Sequence, residues 1–214
     1  MFLLNPKYYL PLCKKLAELN TDDSLRMWAY SRIDTVKSPE ALSIVRKAGI
    51  KWLCLGIESG DKKVRLEVAK GKFEDVDVKK IINQVHDADI DVMANYMYGL
   101  PGDDKETIKK TFELSIELCT SGWNTYPAMA LPGSLLYKQG IENGIEMPKS
   151  YSGYSFHAYD TICLPTEKLK PWEILKLRDD AFVDYHSNPK FLDKIKNRFG
   201  YKAVENIKEM SKIK

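Results

Sequence analysis

Four times between residues 25 and 142 the chain repeats one unit: a short apolar run, an exit rich in glycine or polar residues, and an amphipathic helical segment. The runs cover residues 25–30, 50–57, 91–98 and 123–130. Their carboxyl ends read Ser31-Arg32-Ile33-Asp34, Gly56-Ile57-Glu58-Ser59-Gly60, Asn95-Tyr96-Met97-Tyr98-Gly99-Leu100-Pro101-Gly102 and Ala130-Leu131-Pro132-Gly133-Ser134. Connections long enough to hold a helix join successive parallel strands by right-handed crossovers, so the alternation predicts an α/β fold, a parallel sheet with covering helices. Four strands are too few to close a barrel of eight.

Local signals place the elements. Tyr9, Leu12, Leu16 and Leu19 recur at helical spacing and predict a helix over residues 8–20, with Pro11 confined to an early turn. Ser38-Pro39-Glu40 supplies a capping hydroxyl, a first-turn proline and an acid at the positive end of the helix dipole; Gly49 fits the left-handed residue that closes that helix. The run from Ile50 is apolar on both faces, as in a strand covered on both sides. Asp61 caps a helix to about Lys70-Gly71, residues 76–88 form another, and Asp103 or Asp104 caps one ending near Cys119. From Ser134 the pattern breaks into a short helix, a tyrosine- and glycine-rich loop over 144–165, and two or three helices from Pro171.

Composition narrows the function classes. With 44% hydrophobic and 29% charged residues among 214, the chain can bury a core as one domain with an appendage. No stretch approaches eighteen consecutive apolar residues and no signal peptide is legible, so a cytoplasmic protein with no membrane partner is expected. The net charge of +3 divides into +5 over residues 190–214 and −2 elsewhere. An apolar stripe through Phe191, Ile195 and Val204 reads that tail as solvated faces of packed helices, and no nucleic-acid role follows from it. Cys13, Cys54, Cys119 and Cys163 lie tens of residues apart without paired spacing, as reduced core thiols do, rather than a metal site or disulfide framework.

Ligands of parallel α/β folds bind at the carboxyl ends of the strands, so the exits hold the candidate residues. Glu58 lies between Gly56 and Gly60 just past an apolar strand, where a ligand can approach the backbone, and a carboxylate accepts two hydroxyl hydrogen bonds from a vicinal diol such as ribose. A helix cap or a lysine pair is its competing role. Asn95, polar within an apolar strand, serves either a ligand or nearby backbone. The turn Leu100-Pro101-Gly102 can edge an adenine ring or simply lead into a helix. Arg32 and Lys70 each offer a cation to a carboxylate. His86, His157 and His186 form no acid–base or nucleophile constellation, and Tyr151, Tyr154, Phe156 and Tyr159 either line a channel or pack their loop down.

Taken in order, the exit at 31–34, GIESG at 56–60, YGLPGD at 98–103 and ALPGSLLY at 130–137 resemble the radical S-adenosylmethionine (SAM) superfamily over about residues 1–140. Within it, they look like the group whose members often carry an N-terminal cobalamin-binding domain. The stretch from Ser152 to Thr166, with residues 191–200, is similar to the C-terminal extension of some members. The resemblance implies a partial TIM-like barrel: here a fragment of about four parallel strands over residues 1–140, with a loop and helical C-terminal extension over 141–214. It also implies an enzyme in which three cysteines hold a [4Fe–4S] cluster that chelates SAM, generating a 5′-deoxyadenosyl radical that acts on a small-molecule substrate, with cobalamin-dependent methyl transfer as one outcome. Carried over by position, Glu58 holds the SAM ribose, with Gly56 and Ser59 in the same turn. Lys70 and Arg32 are candidates for the SAM carboxylate, Asn95 for a further polar contact, and Leu100, Pro101 and Gly102 for flanking the adenine.

The departure from the family is the absent CxxxCxxC segment, since the resemblance begins at the end of the second barrel strand. Such a chain has no cluster ligands of the family type, is expected not to cleave SAM alone, and would leave a sheet edge and apolar surface bare unless an upstream segment supplies the missing strands. A non-catalytic SAM- or nucleotide-binding module, or a subunit of a split enzyme, is the alternative. An ordinary α/β enzyme is disfavoured by the lack of an acid–base or nucleophile set.

Overall fold

The structure, a computed structural model, describes residues 1–68 and 75–212. Its strands are β1 (Met27–Arg32), β2 (Ile50–Glu58), β3 (Asp91–Tyr98) and β4 (Gly122–Pro127). The helices between and before them are α1 (Pro6–Leu19), α2 (Pro39–Lys47), α3 (Lys62–Val68), α4 (Val78–Asp87) and α5 (Lys105–Leu118). After β4 come α6 (Leu135–Glu142), α7 (Pro171–Ser187), α8 (Pro189–Phe199) and α9 (Tyr201–Met210).

The four strands are parallel and lie in chain order, β1-β2-β3-β4. Right-handed crossovers that always advance in one direction put the connecting helices on the same face, the winding of a barrel rather than of a doubly wound sheet. The side-chain pattern agrees. Leu53, Leu55 and Ile57 of β2 and Val92, Ala94 and Tyr96 of β3 point into the helix-covered core, which continues into the terminal helices through Ile174, Tyr185 and Phe191. Tyr185 stacks on Trp123 at 5.1 Å and donates its hydroxyl hydrogen to the Thr120 carbonyl at 2.9 Å. The alternate residues form the inner face, where Trp28 and Tyr30 remain 57% and 61% exposed, so that this face is an open surface.

Most predicted caps are present. Ser38 Oγ accepts from the Ala41 N–H at 3.3 Å, Gly49 closes α2 at φ +96°, and Asp61 Oδ1 accepts from the N–H groups of Lys63 and Val64. Asp104, not Asp103, caps α5: its carboxylate accepts from Glu106 and Thr107, and Thr107 Oγ1 accepts from the Asp104 N–H in return. Boundaries moved where a pairing partner outweighed local composition. The first helix starts at Pro6, capped by Asn5, which places Pro11 inside it at the loss of one backbone hydrogen bond. Strand β1 runs on through Ser31 and Arg32 because these residues pair with Leu55 and Gly56, and β4 stops at Pro127. The expected end of the helix after Asp61, near Lys70-Gly71, lies outside the described residues. Among the described residues, no helix is long and apolar enough to cross a membrane.

Candidate cofactor-binding site

One residue from each strand forms a row across the inner face near the carboxyl ends: Arg32, Gly56, Asn95 and Asn124 are mutual neighbours in the ladders. Glu58 joins this row by a local irregularity. The β2–β3 register slips between Gly56 and Glu58, and Glu58 adopts φ +67°, a conformation that costs a non-glycine residue about 1–2 kcal/mol. Its carboxylate thereby folds back over Gly56, into the space that a Cβ there would fill.

The helices hold this turn from behind. Ser59 is fully buried; its hydroxyl lies 3.2 Å from Thr111 Oγ1 on α5 and accepts from the Asp61 N–H at 3.1 Å. The Gly60 N–H donates to Thr111 Oγ1 at 2.9 Å, and a Cβ on Gly60 would stand 2.6 Å from the Lys110 carbonyl oxygen. From α3, the Arg65 guanidinium donates to the Ser59 carbonyl at 2.9 Å. Ser59 therefore anchors the turn to α5, while Glu58 faces the open side. The cap of α3 is Asp61, so Glu58 does not serve as one. Burial pushes the Glu58 carboxyl up to about 6, and the nearby positive charge of Arg32 offsets part of that rise.

The other predicted residues fall in several places. Arg32 is engaged bidentately by Asp34, with Nε–Oδ1 at 2.8 Å and Nη2–Oδ2 at 2.5 Å, so its charge is already shared when a ligand arrives. Asn95 is half-buried, and its Oδ1 accepts from Asn124 Nδ2 at 3.2 Å; its partner is a side chain rather than backbone. Sequence reasoning missed Asn124. Its sign was a polar residue alternating with Tyr126 in the fourth apolar run. Leu100 is buried against Val64, Ala128 and Met97, while Pro101 and Gly102 are exposed, with Gly102 at φ +86°. Asp103 sets this turn by accepting from the Leu100 N–H at 2.9 Å and from Thr107 Oγ1 at 2.8 Å. The extension stitches onto both neighbouring exits, Thr166 Oγ1 donating to the Asp103 carbonyl and the Leu164 N–H to the Ala128 carbonyl, each at 2.9 Å. Lys70 lies outside the described residues.

The donor set suits a polar organic ligand and does not suit a cluster. The Glu58 carboxylate and the Asn95 amide stand side by side on an open face, as a ribose diol requires. The four thiols are free and buried, each raised by burial, and among the described residues no group of His, Cys, Asp or Glu could hold a metal ion. Two hollows lie at the other end of the sheet: one of about 410 Å³ by His86, Lys194 and Arg198, and an apolar one of about 370 Å³ by Trp28, Trp52 and Met93. Neither touches the polar row.

In the aromatic loop, Phe156 packs on Tyr126 at 5.0 Å and Tyr154 approaches Tyr137 at 6.4 Å, whereas Tyr151 and Tyr159 are exposed. The first pair serves packing beside β4. His186 is likewise structural, meeting Trp123 edge-on at 5.8 Å.

A parallel sheet wound in one direction, helices on its outer face and polar groups at the carboxyl ends of its inner face, defines a partial-barrel protein of the kind that binds a cofactor at strand ends. The Radical SAM superfamily model matches residues 3–115, and the chain belongs to that superfamily. Among curated proteins it is 26% identical over 128 residues to the anaerobic magnesium-protoporphyrin IX monomethyl ester cyclase of Cereibacter sphaeroides, a match covering 59% of this chain and 20% of that protein. Among solved structures it resembles the radical SAM methyltransferase TsrM from Kitasatospora setae with cobalamin and [4Fe–4S] cluster bound, with TM-score 0.56 and 16% identity, over 82% of this chain and 33% of the other. It also resembles Elp3 from the archaeon Methanocaldococcus infernus, with TM-score 0.50 and 17% identity, over 91% and 53%. The chain thus spans about one fifth of the curated relative and one third of TsrM.

Proposed function

We propose that this chain is the SAM-facing part of a radical SAM enzyme, with residues 1–140 as the carboxyl-terminal part of the partial barrel and 141–214 as an extension that braces its loops. The observation that carries this reading is the placement of the Glu58 carboxylate over Gly56, beside Asn95, on the open inner face. Glu58 accepts the ribose hydroxyls, Asn95 adds a polar contact, and the Leu100-Pro101-Gly102 turn edges the adenine. Arg32, already paired with Asp34, acts mainly as the positive charge that keeps Glu58 ionisable. In the position that resemblance gives it, Lys70 serves the SAM carboxylate.

In a complete member of the family, cluster-bound SAM supplies a 5′-deoxyadenosyl radical. No step of that chemistry is assigned to these residues, because the described ones hold no cluster ligands. The substrate, a small molecule, and any use of cobalamin, which the TsrM structure contains, belong to the longer parent. Free, buried thiols fit a reducing, cytoplasmic setting.

Anaerobic reconstitution of the chain with iron and sulfide tests the division of labour. The expected result is no cluster absorbance and no 5′-deoxyadenosine from this chain alone, with both restored by a segment carrying the three-cysteine motif. Product from the chain alone would overturn it.

A further inference from the structure

The polar row ends in two carboxamides, and their pairing decides what the first of them can bind. Asn124 Nδ2 donates to Asn95 Oδ1 at 3.2 Å. On the other side of Asn95 in the ladder stands Gly56, over which the Glu58 carboxylate is folded. Neighbouring strands are about 4.8 Å apart, so the Asn95 amide lies between an anion and an amide donor. The carboxylate repels a carbonyl oxygen and attracts an NH2 group, while Asn124 offers a donor to the oxygen. Both neighbours favour one orientation, with the oxygen toward Asn124 and the NH2 toward Glu58. Among the described residues, neither Asn95 Nδ2 nor the Glu58 carboxylate has a hydrogen-bond partner, although both side chains are half-buried. Unused capacity of this kind on an inner barrel face points to a ligand.

We propose that Asn124 is a positioning residue that fixes the Asn95 carboxamide with its NH2 toward the ligand, so that the group bound at Asn95 is an oxygen acceptor and not an amine. A hydroxyl meets both neighbours at once, donating to Glu58 and accepting from Asn95. The inference rests on the SAM reading for the identity of the ligand, but not for the orientation of the amide.

Three variants separate the possibilities. Asn124→Asp leaves an acceptor opposite Asn95, turns the amide over and presents its oxygen to the ligand. Asn124→Leu keeps the volume and releases the amide to either orientation. Asn95→Asp removes the donor outright. Side-chain amide NMR spectra of the ligand-free chain read the orientation directly: the Asn124 NH2 exchanges slowly with solvent in the wild type, and the Asn95 NH2 becomes the protected one in Asn124→Asp. An Asn124 NH2 that exchanges freely in the wild type, with the Asn95 NH2 protected in its place, overturns the proposal, whatever the ligand.

Titration with SAM then reads the consequence. Releasing the amide halves the competent population and weakens binding about twofold in Asn124→Leu. Asn124→Asp and Asn95→Asp each weaken it at least about tenfold, although added negative charge alone favours a cationic ligand. Unchanged or tighter binding in Asn124→Asp, with Glu58→Ala still impaired, overturns the role of Asn124 and leaves the SAM reading intact. No binding of SAM by the wild type overturns the SAM reading, and the NMR result then stands by itself.

Discussion

The carboxylate of Glu58 lies where a Cβ on Gly56 would be. Gly56 has an ordinary negative backbone angle, so glycine is not needed there for its conformational freedom; it is needed for the room it leaves. The slip in register after Gly56 and the left-handed φ of Glu58 turn the side chain back toward the strand, and the missing methyl receives it.

Gly56→Ala therefore separates placement from stability. The methyl collides with the far end of a flexible side chain, so Glu58 swings away and the fold loses less than about 1 kcal/mol. SAM affinity falls at least about tenfold. Thermal denaturation beside SAM titration measures both; a large loss of stability with affinity retained would contradict the arrangement.

Ionisation of Glu58 couples binding to pH. Its carboxyl is held near 6 by burial, so a diol that needs the ionised form binds more tightly as pH rises from 5 to 7, with a midpoint near 6 in the wild type and none in Glu58→Gln. Stability moves the opposite way. A carboxyl raised from 4.5 to about 6 in the folded state favours folding below both values, and that advantage is lost as pH rises through 4.5 to about 6. Glu58→Gln is accordingly more stable than wild type at pH 7.5, by at most about 2 kcal/mol, and no more stable at pH 4. Melting curves at the two pH values check it.

His86 gives the reverse slope. Burial, and after it the positive charge of Lys194, depresses its imidazole to about 4 against smaller opposing effects of Asp91 and Asp87, and its buried Nε2 has no hydrogen-bond partner. A histidine kept neutral in the fold takes up its proton first in the unfolded chain, so stability falls as pH drops from 6.5 to about 4, by at most about 3 kcal/mol. His86→Leu removes that slope. Melting temperature against pH for the two proteins measures it.

Gly60 is closed in by backbone rather than by a movable side chain. A Cβ there meets the Lys110 carbonyl oxygen at 2.6 Å and Thr111 Cα at 2.7 Å. Gly60→Ala forces α5 away from the β2 exit and costs about 1–3 kcal/mol, with weaker SAM binding as the Ser59–Thr111 contact opens. Urea denaturation gives the stability change.

What was legible in the sequence was local. Periodicity located the four strands, and Ser38, Gly49, Asp61 and the pair Asp103-Asp104 marked helix ends, because a cap interacts with residues three or four positions away. Glu58 stood out through its glycine neighbours for the same reason. Relations across the sheet were not legible. Asn124 meets Asn95 through a register set by the whole ladder, and Ser59 turns toward Thr111, 52 residues on, rather than toward a ligand. The ion pair of Arg32 with Asp34, two residues apart, was within reach of a local reading and limits what Arg32 can offer an incoming carboxylate.

Equilibrium titration of SAM against the wild-type chain and Glu58→Ala at pH 7.5 tests the central claim most directly. Loss of a charged acceptor for ribose hydroxyls predicts saturable binding by the wild type and affinity at least about tenfold weaker in the variant. Equal affinity in the two proteins would contradict the placement of SAM on this face.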